Sequence, residues 1–270
     1  MLRSTRSVGT LLRAWRRRRR LTQERLALEC EISPRHLSFV ETGRAQPSRR
    51  LVLHLSEELE LPLRERNALL VAAGFAPMFP ERGLDDGALA VPRRAIDLVL
   101  EAQKPFPAFA IDRHWNVIAS NRALQELYEG VAPELLTAPV NALRLSLHPR
   151  GVAPRVENLA EWRAHLLARL RRQIDLTADP ALEALLKEAM SYVGGAGDPS
   201  ADDLAAAVLV PLRIRTSLGV LSFFSTTTVF GTPVDVTLAE LAIEQFFPAD
   251  AATAEAVRRG GTAVVAPGIV

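Results

Sequence analysis

Apolar positions first fall into a helical rhythm at Val8. From there to Arg20, Leu11, Leu12 and Trp15 mark one inner face. The stretch from Leu21 to Ser48 then predicts two short helices with marked ends. Thr22 is an N-cap, with Gln23 and Glu24 opening the first turn. Leu26, Ala27 and Cys30 share a face of that helix. Ser33 caps the next one, and Pro34 takes its first position, where a missing N–H costs nothing. Leu37 and Val40 form its buried side, and Gly43 follows its end. Two short helices with a tight connection are the geometry that seats a recognition helix in the DNA major groove. Ser48 to Leu59 and Leu63 to Ala73 continue the helical pattern, which Gly74 closes.

A different rhythm follows. Phe75 to Pro92 is rich in Pro, Gly and Asp and reads as a linker. A helix over Arg93 to Lys104 leads into two strand-like runs, Ala108–Asp112 and Asn116–Ser120, with a hairpin turn at Arg113–Trp115. Asn121 caps a helix carrying Leu124, Leu127 and Tyr128. Val156 to Thr177 and Pro180 to Tyr192 are helical, while Asn141 to His148 is ambiguous because its leucines alternate. Gly194 to Pro199 reads as a loop. Ala206–Arg215 and Val220–Val229 read as strands; Ala239–Phe247 suits a strand or a helix. Ala251 to Arg259 predicts a terminal helix, with a frayed end from Gly260. Two strands, then helices, then three strands is the order of a PAS-type, five-stranded antiparallel sheet. The expected class is α+β: an all-α five-helix domain over residues 1–75, a linker over 76–92, a PAS-like domain over 93–250, and a helix and tail over 251–270.

Charge sharpens this division. Residues 1–75 hold fifteen arginines against eight glutamates, a balance of +7, while the remainder stands at −5. A basic module joined to an acidic one suits a nucleic-acid-binding half and a half with another task. The single Cys30 excludes an internal disulfide and a thiolate metal cluster, and its place on an apolar face suits a small core residue. No run approaches the roughly eighteen apolar residues of a membrane span, and no signal-peptide stretch opens the chain, so a cytoplasmic location is expected.

The first domain resembles the Cro/repressor, or XRE, class of helix-turn-helix regulators. The resemblance rests on Arg16, Thr22-Gln23, Leu26-Ala27, Ile32-Ser33, Leu37, Val40-Glu41, Gly43-Arg44 and Pro47-Ser48, across Val8 to Gly74. One residue departs: the turn usually has glycine where this chain has Glu31. The resemblance implies that Arg16 pairs with Glu41, and that Arg44 and Ser48 contact the DNA backbone. With Leu37 and Val40 facing inward, Arg35, His36, Ser38 and Phe39 face outward. Arg35 suits a bidentate contact to guanine. His36 suits a base acceptor or a phosphate. Phe39 either touches a thymine methyl or only packs. Gln23 either binds a phosphate or braces the recognition helix. The candidate DNA contacts are Gln23, Ser33, Arg35, His36, Phe39, Arg44 and Ser48.

The second domain resembles the ligand-binding domain of MmyB-like transcription regulators. The stretches that carry this are Asp112–Asn116, Asn121, Asn141–Arg144, Leu147–Pro149, Asn158–Trp162 and Phe224–Pro233. The resemblance favours helix at Asn141–His148. It implies a lipophilic small molecule, such as a long-chain fatty acid, held between sheet and helices. Phe109, Ile111, Leu127, Trp162, Leu166, Leu212 and Phe223 are candidate lining residues of a cavity against the Val156–Thr177 helix. Arg144 and His148 either anchor a ligand carboxylate or serve structure, with Arg144 pairing an acid such as Glu157 or Glu161.

No catalytic constellation emerges. The five histidines lack HxxxH spacing, and GxSxG, Walker and GxGxxG motifs are absent. Gly194–Gly197 has no phosphate-binding Lys-Ser/Thr after it, and Ser225–Thr228 reads as the polar side of a strand. No metal and no resident cofactor are expected beyond a bound lipophilic ligand. The expected protein is a DNA-binding, ligand-responsive transcription regulator and not an enzyme. Its partners would be a double-stranded operator, a lipophilic small molecule and a second copy in a homodimer, without a membrane. The rival readings are a PAS-like half that only dimerises or binds protein, and a fused enzyme.

Overall fold

The computed structural model describes residues 7–192 and 209–262. The expected loop at Gly194–Pro199, the start of the run at Ala206 and the tail past Thr262 lie outside the described residues. The chain divides into two compact units. One runs to Arg82 and also takes in Asp175–Ala178 and Thr232–Ala239; the other holds the rest.

The first unit contains α1 (Val8–Arg18), α2 (Gln23–Glu29), α3 (Pro34–Glu41), α4 (Arg49–Glu58) and α5 (Leu63–Ala72). The hydroxyls of Ser7, Thr22, Ser33 and Ser48 each accept a backbone N–H from the first turn of α1 to α4. Such caps satisfy donors that have no partner inside the helix. Leu12, Leu26, Leu37, Val40, Val52, Leu55, Leu59, Leu69 and Leu70 are fully buried in one core. Gly9 lets α1 approach the end of α3. A Cβ there would lie 2.4 Å from the Val40 carbonyl oxygen.

All five helices end alike. Arg20, Glu31, Gly43, Glu60 and Gly74 each have positive φ, between 49° and 85°. The following N–H reaches back to a carbonyl one turn earlier, from Leu21 to Arg16, Ile32 to Ala27, Arg44 to Phe39, Leu61 to Ser56 and Phe75 to Leu70. This is the Schellman ending, in which an apolar residue after the left-handed one folds back on the core. Leu61 is buried, and Leu21, Ile32 and Phe75 pack partly against the core.

The second unit opens with α6 (Ala90–Ala102), which starts earlier than Arg93. Pro92 lies within its first turn, where the missing N–H would have had no helical partner. The sheet has the order β2-β1-β5-β4-β3 and is antiparallel throughout. Its strands are β1 (Ala108–Ile111), β2 (Val117–Ser120), β3 (Leu212–Thr216), β4 (Gly219–Thr228) and β5 (Ala242–Pro248). Between β2 and β3 lie α7 (Arg122–Glu126), α8 (Ala142–Leu147), α9 (Leu159–Thr177) and α10 (Pro180–Ser191). A short helix, Val236–Ala239, which belongs to the first unit, precedes β5, and Ala251–Thr262 is the last helix among the described residues.

Two open readings resolve and one expectation changes. Asn141–His148 is a helix: Asn141 Oδ1 caps Arg144 N–H, and Leu143, Leu145 and Leu147 are buried on more than one side, which imitates strand alternation. The helix expected from Val156 starts at Leu159, because Val156 is held extended in a bridge to Ile214. Ala239–Phe247 resolves into strand from Ala242. In the hairpin turn, Trp115 has φ +69°, and Asp112 Oδ1 accepts the N–H groups of His114 (2.8 Å) and Asn116 (2.9 Å). The buried Trp115 indole donates to Gln173 Oε1 on α9 at 2.7 Å.

Glu31 and Glu60 hold left-handed backbone without being glycine, which costs each about 1 kcal/mol. Glu31→Gly is expected to raise stability by about 0.5–1 kcal/mol in urea unfolding, the relief being partly offset by glycine's entropy. Unchanged or lowered stability would show that strain at this turn is negligible.

Candidate DNA-binding face and ligand pocket

The recognition helix α3 is fixed from behind by a buried carboxylate. Arg16 Nε and Nη2 donate to Glu41 Oε1 and Oε2 at 2.6 and 2.9 Å. The third guanidinium nitrogen, Nη1, donates to the Leu21 carbonyl at 2.8 Å. Gln23 Nε2 donates to Glu41 Oε2 at 2.7 Å, and Arg13 stands 3.6 Å away. Of the two roles open to Gln23, its amide occupies the bracing one. Burial pushes the Glu41 carboxyl up, but hydrogen bonds from Arg16 and Gln23 and the charges of Arg16 and Arg13 hold it below its ordinary value. The bond to Glu41 correspondingly raises Arg16.

The outward side of α3 gathers three of the candidates. Phe39 lies under two cations, with the Arg35 guanidinium 5.3 Å and that of Arg44 6.0 Å from its ring centroid. Arg35, His36 and Arg44 are exposed, and Phe39 is half-buried. Phe39 therefore works as a platform that orients two arginines. Ser33 and Ser48 are exposed at the N-termini of α3 and α4, their hydroxyls engaged as caps. Cys30 is buried, and burial followed by the charges of Glu58 and Glu29 pushes its thiol up to about 12. It stays a protonated core residue.

In the second unit an apolar pocket lies between sheet and helices, its empty space about 490 Å³ when the part open to solvent is counted. Phe109, Leu212, Ile214 and Phe246 line it from the sheet. Leu124, Leu127 and Tyr128 close one side, and Ala142, Leu145 and Ser146 of α8 another; Trp162 contributes from the start of α9. Among the described residues no charged side chain lines it. Tyr128 is raised by burial.

Four of the expected lining residues, Phe109, Leu127, Trp162 and Leu212, meet here. Phe223 is the cross-strand partner of Leu212 and lines a neighbouring cavity. Ile111 and Leu166 do not reach the pocket; they are buried in the core with Leu167 and Leu170. The cavity expected between the sheet and the Val156–Thr177 helix is confined to the start of that helix, because α9 past Trp162 is packed. Arg144 and His148 are also away from the pocket wall. Arg144 Nε and Nη2 each donate to Glu188 at 2.8 Å, so its acid is on α10 rather than Glu157 or Glu161. His148 packs edge-on against Tyr192 and accepts Arg150 N–H at Nδ1. Glu244, buried on the inner sheet face, is held by Arg169 and by Thr227 Oγ1 at 3.0 Å. Leu124, Tyr128, Leu145 and Phe246 escaped the sequence reading. The two helices that carry Leu124 and Leu145 are too short to show a periodicity.

A helix-turn-helix unit followed by a PAS-like sheet domain with an apolar pocket defines a DNA-binding transcriptional regulator with a ligand-binding domain. Residues 92–259 match the family model "MmyB-like transcription regulator ligand binding domain", and the chain belongs to that family. Residues 7–69 match a helix-turn-helix domain model. Among solved structures, the clp gene regulator ClgR from Corynebacterium glutamicum is 26% identical over 37% of this chain and 94% of its own, with a TM-score of 0.23. An RNA-binding light-oxygen-voltage receptor is 13% identical over 96% of this chain and 65% of its own, with a TM-score of 0.25. No curated protein sequence matches the chain.

Removing one partner of the Arg16–Glu41 pair strands a buried charge. Arg16→Met is expected to cost about 3–5 kcal/mol in urea unfolding. A loss below about 1 kcal/mol would place the pair in high dielectric. Because folding depresses Glu41, its contribution is present above the ordinary carboxylate range and is lost as pH falls through the folded value. Glu41→Gln should therefore flatten the acid limb of the stability profile.

Proposed function

We propose that this regulator binds a two-fold operator as a homodimer and that a lipophilic small molecule, with fatty acids the leading class, occupies the pocket and modulates its DNA binding. The observation that carries the ligand reading is the lining: a pocket walled by apolar and aromatic side chains, with Tyr128 and Ser146 supplying hydroxyls. Each buried methylene contributes roughly 0.8 kcal/mol, so an acyl chain binds without a polar anchor. Neither matching family model describes an enzyme.

The DNA reading assigns base contact to Arg35, steadied by Phe39, and backbone contact to Arg44 and the α3 and α4 N-termini. Gln23 and Glu41 act behind the recognition helix. Arg35→Ala should relax base preference at one position per half-site, a discrimination of about 1–3 kcal/mol. Gln23→Ala should weaken all sequences alike. A site library bound by both variants checks this, and an unchanged profile for Arg35→Ala removes the assignment.

For the ligand, denaturing extraction of purified protein followed by mass spectrometry should yield a stoichiometric lipophilic compound. Protein that is clean, and that no lipid added afterwards stabilises, would instead favour a ligand-free scaffold. Chemical turnover of an added compound would favour an enzyme.

A further inference from the structure

We infer that the ligand site has two chambers, and that Leu127 is the partition which lets a linear apolar chain pass from one to the other. The inference rests on the lipophilic-ligand reading and adds the shape of the ligand to it. A second cavity, also partly open to solvent, is lined by Pro107, Ala123, Glu126, Leu221, Phe223 and Val257, among others. Leu127 lines both cavities. So does one rung of the sheet: Leu212 faces the first chamber, and its register partner Phe223 faces the second. Residues directly opposite in an antiparallel pair share a face, so the two cavities lie along one continuous surface.

The backbone of the partition is fixed. Leu127 follows the last residue of α7 and is 8% exposed. Arg155 Nη2 donates to its carbonyl oxygen. A leucine at a helix end can change rotamer without moving the chain that carries it. Among the described residues no arginine, lysine or histidine lines either chamber, and the charged side chain at the second, Glu126, repels an anion. A charged carboxylate therefore has no partner inside, and its end belongs in water at a mouth while the chain runs inward. A ligand of this form is recognised by length, which two compact chambers in series can measure and a single globular pocket cannot.

The test uses full-length protein and a homologous series of straight-chain saturated fatty acids, with Trp162 in the first chamber as the fluorescence reporter. In the wild type, each added methylene that finds a place should tighten binding about fourfold, which is ~0.8 kcal/mol. The gain should continue into chain lengths that exceed the first chamber. Ala123→Phe and Val257→Phe each fill only the second chamber, the space a chain reaches past Leu127. Both should bind short chains as the wild type does and lose the further gain. Two variants guard against misfolding of either one, and unchanged short-chain affinity shows that the first chamber is intact. A long-chain advantage that survives in both variants would overturn the partition while leaving the lipophilic site standing. Failure of every chain to bind the wild type would overturn the site and the partition together.

Discussion

Glu41 carries a full negative charge at the centre of a helical unit built on apolar contacts. Its two oxygens accept three hydrogen bonds, two from Arg16 on α1 and one from Gln23 on α2. Three helices thus meet at one carboxylate. A buried ion pair adds little net stability compared with a well-packed apolar substitute, because both ions lose water. Its value here is directional. Leucines tolerate sliding, whereas a bidentate guanidinium–carboxylate pair accepts one geometry. The angle at which α3 presents Arg35 and Phe39 follows from that geometry.

The ligand-binding unit solves the opposite problem. Its polar groups are paired away from the cavity: Arg144 with Glu188, Arg169 with Glu244, and His114 with Asp179 at 3.0 Å. Asn121 ties α6, β1 and α7 together, accepting Ala108 N–H and donating to the Leu100 and Phe106 carbonyls. With these groups satisfied elsewhere, the space between sheet and short helices is left to apolar side chains. A hollow there is sustained by walls tied at their edges, since a freely collapsing core would close it.

Much of this was legible because caps and breakers act locally. Thr22, Ser33, Ser48 and Asn121 sit at the helix starts that their hydroxyl and amide chemistry dictates. The left-handed turn after α2 was legible only as a conflict between Glu31 and the glycine expected there. Gly9 gave no signal, since a glycine in a helix looks like a defect until its neighbour is known. The pocket was half legible. Phe109, Trp162 and Leu212 followed from their faces, but Ile111 and Leu166 share those faces and fall in packed core. Periodicity reports which side is buried; it does not report whether the burial is against atoms or against space. The partner of Arg144 was missed because Glu188 is 44 residues away, a separation that no local pattern spans.

The close approach at Gly9 bears on how a signal could be transmitted. With Val40 and Glu41 carbonyl oxygens 2.4 and 2.6 Å from where a Cβ would stand, α1 and the end of α3 are in backbone contact. Neither helix can rotate against the other without a clash or a broken carboxylate clamp. The recognition helix is therefore a poor candidate for remodelling inside its own unit. Control of DNA binding is more economically exerted on the whole unit as a rigid reading head.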